Sequence, residues 1–201
     1  MNAADLTRDQ IFDLVTDKVF GASCHCKMWA TLHNIVGHEM KSLRELELRG
    51  LLEDAGPILS LSSGAHQIAM TLSVCSLYER PGLKDCVTIQ VYRDKVADAF
   101  EVTQKLDDRI SSAYNTARRL YEIRTAYYAH SMAETCERDI FRDVGLSKNN
   151  VIELVDQTTQ IVADLAQIEG RPAINLRLGD DVATRLAKVD SLLLKSIGLA
   201  D

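Results

Sequence analysis

The run Ala117-Arg118-Arg119-Leu120-Tyr121-Glu122-Ile123-Arg124-Thr125-Ala126-Tyr127-Tyr128-Ala129-His130-Ser131 contains neither proline nor glycine and is rich in Ala, Leu, Arg and Glu. Nothing in it stops a helix and most of it favours one, so a continuous helix is expected. A helix turns roughly 100° per residue and rises about 1.5 Å. With Arg124 at zero, Tyr127 then lies roughly 60° to one side and His130 roughly 120° to that side, about 9 Å along the axis. Ser131 returns nearly to the face of Arg124.

An Arg and a His at this separation suit chemistry at a phosphate. Arg offers a permanent charge and a donor fork that matches phosphate oxygens. His takes or gives a proton near neutral pH. Arg124 and His130 are therefore the candidate catalytic pair, with Tyr127, Ser131, Arg118 and Arg119 as candidate substrate-binding or supporting groups. Residues 109–124 carry Arg109, Arg118, Arg119 and Arg124 against the one acid Glu122 within the last turns. If several face one cleft, an acidic chain can still hold RNA there; the alternative is that they cap or pair with neighbouring helices.

Arg-x5-His followed by a small polar residue, late in a long helix of an all-helical chain, resembles the signature of the HEPN superfamily. The strings Arg119-Leu120-Tyr121-Glu122-Ile123-Arg124 and Tyr128-Ala129-His130-Ser131 are most similar to an abortive-infection, HEPN-like subgroup of bacterial proteins. The resemblance is specific over roughly residues 105–135; beyond them it is an order of helices. It implies a bundle of about six to seven helices, with an up-and-down core and flanking helices. It also implies a metal-independent endoribonuclease acting as a toxin or phage-defence component, with RNA as substrate, a cognate antitoxin protein as partner, and a homodimer that joins two motifs in one cleft. Position 125 is Thr, where the family frequently has Asn, Asp or His. Position 132 is Met, where members silenced by nucleotidylation have Tyr.

At 201 residues one well-buried domain is expected, with a core bundle over about residues 23–170. Three prolines, ten glycines and 5% aromatics fit an all-α chain better than a sandwich or barrel. The net charge of −6 argues against a surface coated for nucleic acid, though not against a local basic site. Five cysteines (Cys24, Cys26, Cys75, Cys86 and Cys136) form no disulfide framework and point to reduced thiols in the cytoplasm. Asp5, Asp9, Asp13 and Asp17 exclude an export signal, and no apolar run approaches a membrane span. Cys24, His25, Cys26, His33 and His38-Glu39 tempt a zinc assignment. No second Cys pair or His pair follows, and Ser42 stands where a zincin motif needs His, so no metal and no cofactor are expected. These residues read instead as helix-start and surface groups.

Along the chain, Thr7-x-x-Gln10 is a capping-box pattern before Ile11, Leu14, Val15 and Val19, giving a first helix over residues 8–19 that stops at Gly21. Ser23 caps a second helix, with Trp29, Leu32, Val36, Met40, Leu43 and Leu46 as its stripe up to Gly50. Gly56-Pro57 breaks the chain before a third helix that ends at Arg80-Pro81-Gly82, on which Leu59, Ser63, Ala65, Ile68, Ala69, Leu72, Val74, Cys75 and Leu77 are expected to be buried and His66 to be structural. Residues 83–105 read as a fourth helix. A break near Asp107-Asp108 leads to the motif helix over 108–138, unless the two are one rod. Ser147 caps a sixth helix that Gly170 and Pro172 end, and a last helix over about 180–198 packs back on the bundle or across a dimer.

One Arg and one His are thin equipment for RNA transesterification, which needs both an acid and a base. A two-fold dimer would supply the missing groups. The alternative from another class is a non-catalytic helical module that binds a partner protein or nucleotide, with Arg124 and His130 as a polar cluster.

Overall fold

A computed structural model describes residues 3–42, 49–79, 86–125, 141–174 and 176; at residues 4, 34–42 and 49–59 it describes the backbone alone. Every regular element among them is helical, so the fold is all-α. A short 3-10 turn, Ala3–Asp5, precedes α1 (Arg8–Ser42), α2 (Arg49–Leu77), α3 (Ile89–Ala97), α4 (Gln104–Ile123) and α5 (Lys148–Ile168). Residues 141–143 are also helical. No helix among the described residues is long and apolar enough to cross a membrane. The expected helix over 180–198 lies outside the described residues.

The chain divides into two compact units. The first takes the described parts of residues 1–23 and 70–177, and α4 and α5 are its centre. On α4, Leu106, Ile110, Ala113, Ala117, Leu120 and Ile123 are buried at helical spacing. They pack along α5, which α3 also touches. A wide face of α5 is buried, from Val151 through Leu154, Val155, Thr158, Ile161 and Val162 to Leu165. The local signals are those expected. Ser147 accepts from the Asn150 N–H at 3.2 Å while Asn150 accepts from the Ser147 N–H at 2.9 Å, closing a capping box that satisfies two otherwise orphaned donors. Thr7 and Gln10 make the same reciprocal pair at 2.9 and 3.2 Å. Past α5, Gly170 takes φ +72°, the left-handed conformation that costs glycine least.

Three helix boundaries differ from expectation. Gly21 does not end the first helix: α1 runs through it to Ser42. An interior glycine costs only about 1 kcal/mol relative to Ala, and Ile11, Val15, Val19, Ala22, Cys26 and Trp29 form one buried stripe across it. Gly56-Pro57 does not break α2 either. Pro57 has no N–H to give, so the helix carries that missing rung. The fourth helix is only Ile89–Ala97, begun by Thr88, whose hydroxyl accepts from the Val91 N–H at 3.2 Å. The break that follows covers residues 98–103, not Asp107-Asp108. Asp107 lies in the first turn of α4, where an acid suits the helix dipole, and it binds the Arg93 guanidinium at 2.6 and 2.8 Å.

The buried face of α2 is also rotated from the expected one. Ser63, Gln67, Met70, Thr71, Val74, Cys75 and Leu77 are buried, whereas Ala65 is exposed and Ile68 and Leu72 are 38% and 44% exposed. In the second unit, His25 is not a surface group. Its Nδ1 lies 2.9 Å from Nδ1 of His66, so α1 and α2 are tied there by an N–H···N hydrogen bond. Cys26, one position on, is buried.

Candidate functional site

The C-terminal part of α4 turns one face to the α5 core and another to a groove. The period of its apolar residues puts Leu120 and Ile123 inward, and this leaves Tyr114, Arg118, Tyr121 and Glu122 on the groove side, with the buried Ala117 at the groove floor. The opposite wall comes from Cys75 near the end of α2 and from Tyr78 and Glu79 just past it. The cavity between them measures about 660 Å³. A second cavity of about 420 Å³ shares Tyr78, Glu79 and Tyr114 with it and extends between the start of α3 and Ile110, Ser111 and Asn115 on α4. Glu79 thus stands where the two meet.

Arg124 stands beside this groove. Its guanidinium Nη1 is 3.7 Å from Glu79 Oε2, and its Cζ lies 5.0 Å from the centroid of the Tyr121 ring, a cation–π distance. At residues 124–125 the helix widens into π-type winding. The arithmetic of 100° per residue therefore stops at Ile123, because an i→i+5 turn advances less per residue. Tyr127, His130 and Ser131 lie outside the described residues.

The four arginines do not gather in one cleft. Arg118 lines the groove and Arg124 flanks it. Arg109 pairs with Asp164 of the neighbouring α5, the neighbour-pairing alternative. Arg119 is exposed and is not among the groove lining; its Nη1 reaches toward the turn at Gly145.

The groups around the groove differ in what chemistry they can do. Burial pushes the Cys75 thiol up to about 12, against the pull of the Arg124 charge, and the nearby Glu79 charge adds to the rise. It is a protonated thiol at neutral pH and no nucleophile. Burial also raises the Tyr78 phenol, whose OH is bound to Thr158 Oγ1 at 2.9 Å. Burial lowers the Lys18 ammonium, against opposing pulls from Cys86 and Glu79, and its Nζ donates to the Val87 carbonyl at 3.0 Å. Among the described residues no three His, Cys, Asp or Glu side chains group closely enough to hold a metal ion.

Glu79 and Tyr114 were not legible as site residues. Glu79 lies just past the end of α2, far along the chain from the Arg-x5-His segment, and no spacing within a single helix signals that pairing. Comparison with family models, with curated proteins and with solved structures finds no match for the chain.

Proposed function

We propose that the protein is a metal-independent endoribonuclease of the HEPN type, a toxin or phage-defence component that cuts RNA with Arg124 and His130. The observation that carries this reading is the position of Arg124 at the edge of a cavity of about 660 Å³ whose lining includes Arg118, Tyr114 and Tyr121. Two guanidinium groups and two aromatic rings along one groove suit a single strand, with phosphates on the arginines and bases against the rings.

In this reaction a base takes the ribose 2′-proton, the 2′-oxygen attacks the adjacent phosphorus, and the 5′-oxygen leaves with a proton from an acid. Arg124 holds the scissile phosphate and offsets the charge that grows on its oxygens. His130 is one of the two proton-transfer groups. The second comes either from a two-fold mate in a homodimer or from within the chain. A cognate antitoxin would cover the groove.

The second reading, a non-catalytic module for a partner protein or nucleotide, is favoured by one observation. Arg124 already has Glu79 and the Tyr121 ring as neighbours, the pattern of a structural arginine.

Purified protein incubated with total bacterial RNA and tRNA separates the two. The nuclease reading expects cleavage undiminished in EDTA, fragments with 2′,3′-cyclic phosphate and 5′-hydroxyl ends, and DNA left intact. His130→Ala loses roughly 10²-fold or more in rate. Arg124→Lys is also poor, because an ammonium keeps the charge and loses the fork. Both variants keep the wild-type melting temperature. Absence of cleavage, or a large drop in melting temperature for both, supports the module.

A further inference from the structure

We propose that Glu79 is the general base of this reaction, taking the 2′-hydroxyl proton of a ribose seated in the groove. The inference rests on the ribonuclease reading and supplies, within one chain, the second proton-transfer group that Arg124 and His130 lack.

Three observations carry it. Glu79 lines both cavities, so a strand that fills the groove must pass its carboxylate. Its side chain is 15% exposed, buried enough to hold a defined position and open enough to meet a ligand. Its carboxylate also has acceptor capacity to spare. Among the described residues its ion-pair partner is Arg124 at 3.7 Å, beyond hydrogen-bond length. An ionised carboxylate offers about four acceptor sites.

Proximity to Arg124 gives the position its meaning. The 2′-oxygen attacks the phosphorus next to it, so the base must stand beside whatever holds that phosphate. A carboxylate 3.7 Å from the phosphate-binding guanidinium is in that place. The other groups at this wall are already committed. The Cys75 thiol is buried and protonated, the Tyr78 hydroxyl is bound to Thr158, and the Lys18 ammonium is bound to the Val87 carbonyl.

The step balances. The 2′-O–H proton passes to a Glu79 carboxylate oxygen as the O2′–P bond forms. The P–O5′ bond breaks, and the leaving oxygen takes the proton of the His130 imidazolium. The products are a 2′,3′-cyclic phosphate and a 5′-hydroxyl. Glu79 then loses its proton to water, and His130 regains one.

The test uses the full chain as wild type, Glu79→Gln, Glu79→Asp and His130→Ala. Each is assayed on RNA and on a ribonucleoside 3′-(4-nitrophenyl phosphate), whose leaving group departs without a proton. Glu79→Gln is expected to lose roughly 10²–10⁴-fold on both substrates. It should also lose the acidic limb of the kcat/KM profile, which Glu79→Asp retains at reduced rate. His130→Ala is expected to fail on RNA and to recover on the aryl ester.

Wild-type rates in Glu79→Gln, or recovery of that variant on the aryl ester, would overturn the assignment and leave the ribonuclease reading standing. Cleavage of neither substrate by the wild type would remove both. If Glu79→Gln does not fold, the pH profile of Glu79→Asp decides: an acidic limb unchanged in position and rate overturns the proposal.

Discussion

Two carboxylates in the first unit, Glu169 and Glu79, each sit against arginine, and they are used differently. Glu169, at the C-terminal end of α5, is 2% exposed in its side chain; its Oε2 accepts two hydrogen bonds, and its Oε1 has an ion-pair contact but no hydrogen bond. Arg171 Nε donates to it at 2.7 Å and the Tyr92 hydroxyl at 2.5 Å, while Arg8 Nε makes an ion-pair contact at 2.8 Å. The arginines are held in turn: Arg8 over the Phe100 ring at 5.2 Å, and Arg171 over Phe12 at 4.1 Å with Asp9 at 2.6 Å. Glu79 has one arginine at 3.7 Å and opens on two cavities. A buried charge is tolerable when its partners saturate it. Glu169 comes nearer to that condition, with two arginines and a tyrosine from the protein itself, and ties the chain after α5 to α1 and α3. Glu79 meets it only in part, as befits a group whose remaining partners arrive with a ligand.

Removing the charge at each position tests that contrast. Glu169→Gln leaves two partly exposed arginines facing an uncharged group and should cost roughly 1.5–3 kcal/mol, the range for a hydrogen bond to a charged group. A urea titration would show it as a lower midpoint with an unchanged slope. A loss below about 1 kcal/mol would mean that the cluster is no more structural than a surface pair.

The His25–His66 contact in the second unit should respond to acid. Burial, and then the neighbouring His25, depress the His66 imidazole below its ordinary 6.5. The unfolded chain therefore takes up the proton first as pH falls. The contribution is fully present above about 6.5 and declines as pH drops through the interval down to the folded value. Hydrogen exchange of residues 24–33 and 60–69 should quicken over that interval, and His66→Gln should flatten the dependence. Exchange that does not change with pH there would show that the His25–His66 contact adds nothing to stability.

The smallest expected change is in the stability of Glu79→Gln. With one long ion pair to lose, its melting midpoint should correspond to a cost of about 0.5 kcal/mol or less. A cost approaching that of Glu169→Gln would erase the distinction between the two carboxylates and return Arg124 and Glu79 to the structural reading.

How much of this was legible in the residues depends on how far apart the cooperating groups stand. The Thr7–Gln10 and Ser147–Asn150 boxes, the Gly170 stop and the buried stripe of α5 each depend on residues within a few turns of one another. Capping and a 3.6-residue period act at that range, so the all-α class and most helix positions follow from the chain order itself. The continuity of α1 through Gly21 was half legible. Its stripe keeps phase across the glycine, but propensity alone cannot weigh one weak residue against six buried ones. Which face of α2 turns inward, leaving Ile68 and Leu72 out, is decided by neighbours that no local pattern names. The same holds for Glu79 beside Arg124, His25 against His66, and Arg109 with Asp164 while Arg118 remains in the groove. Each joins residues far apart in the chain. Side-chain contact is fixed by how helices pack, and sequence spacing carries that information only within a single helix.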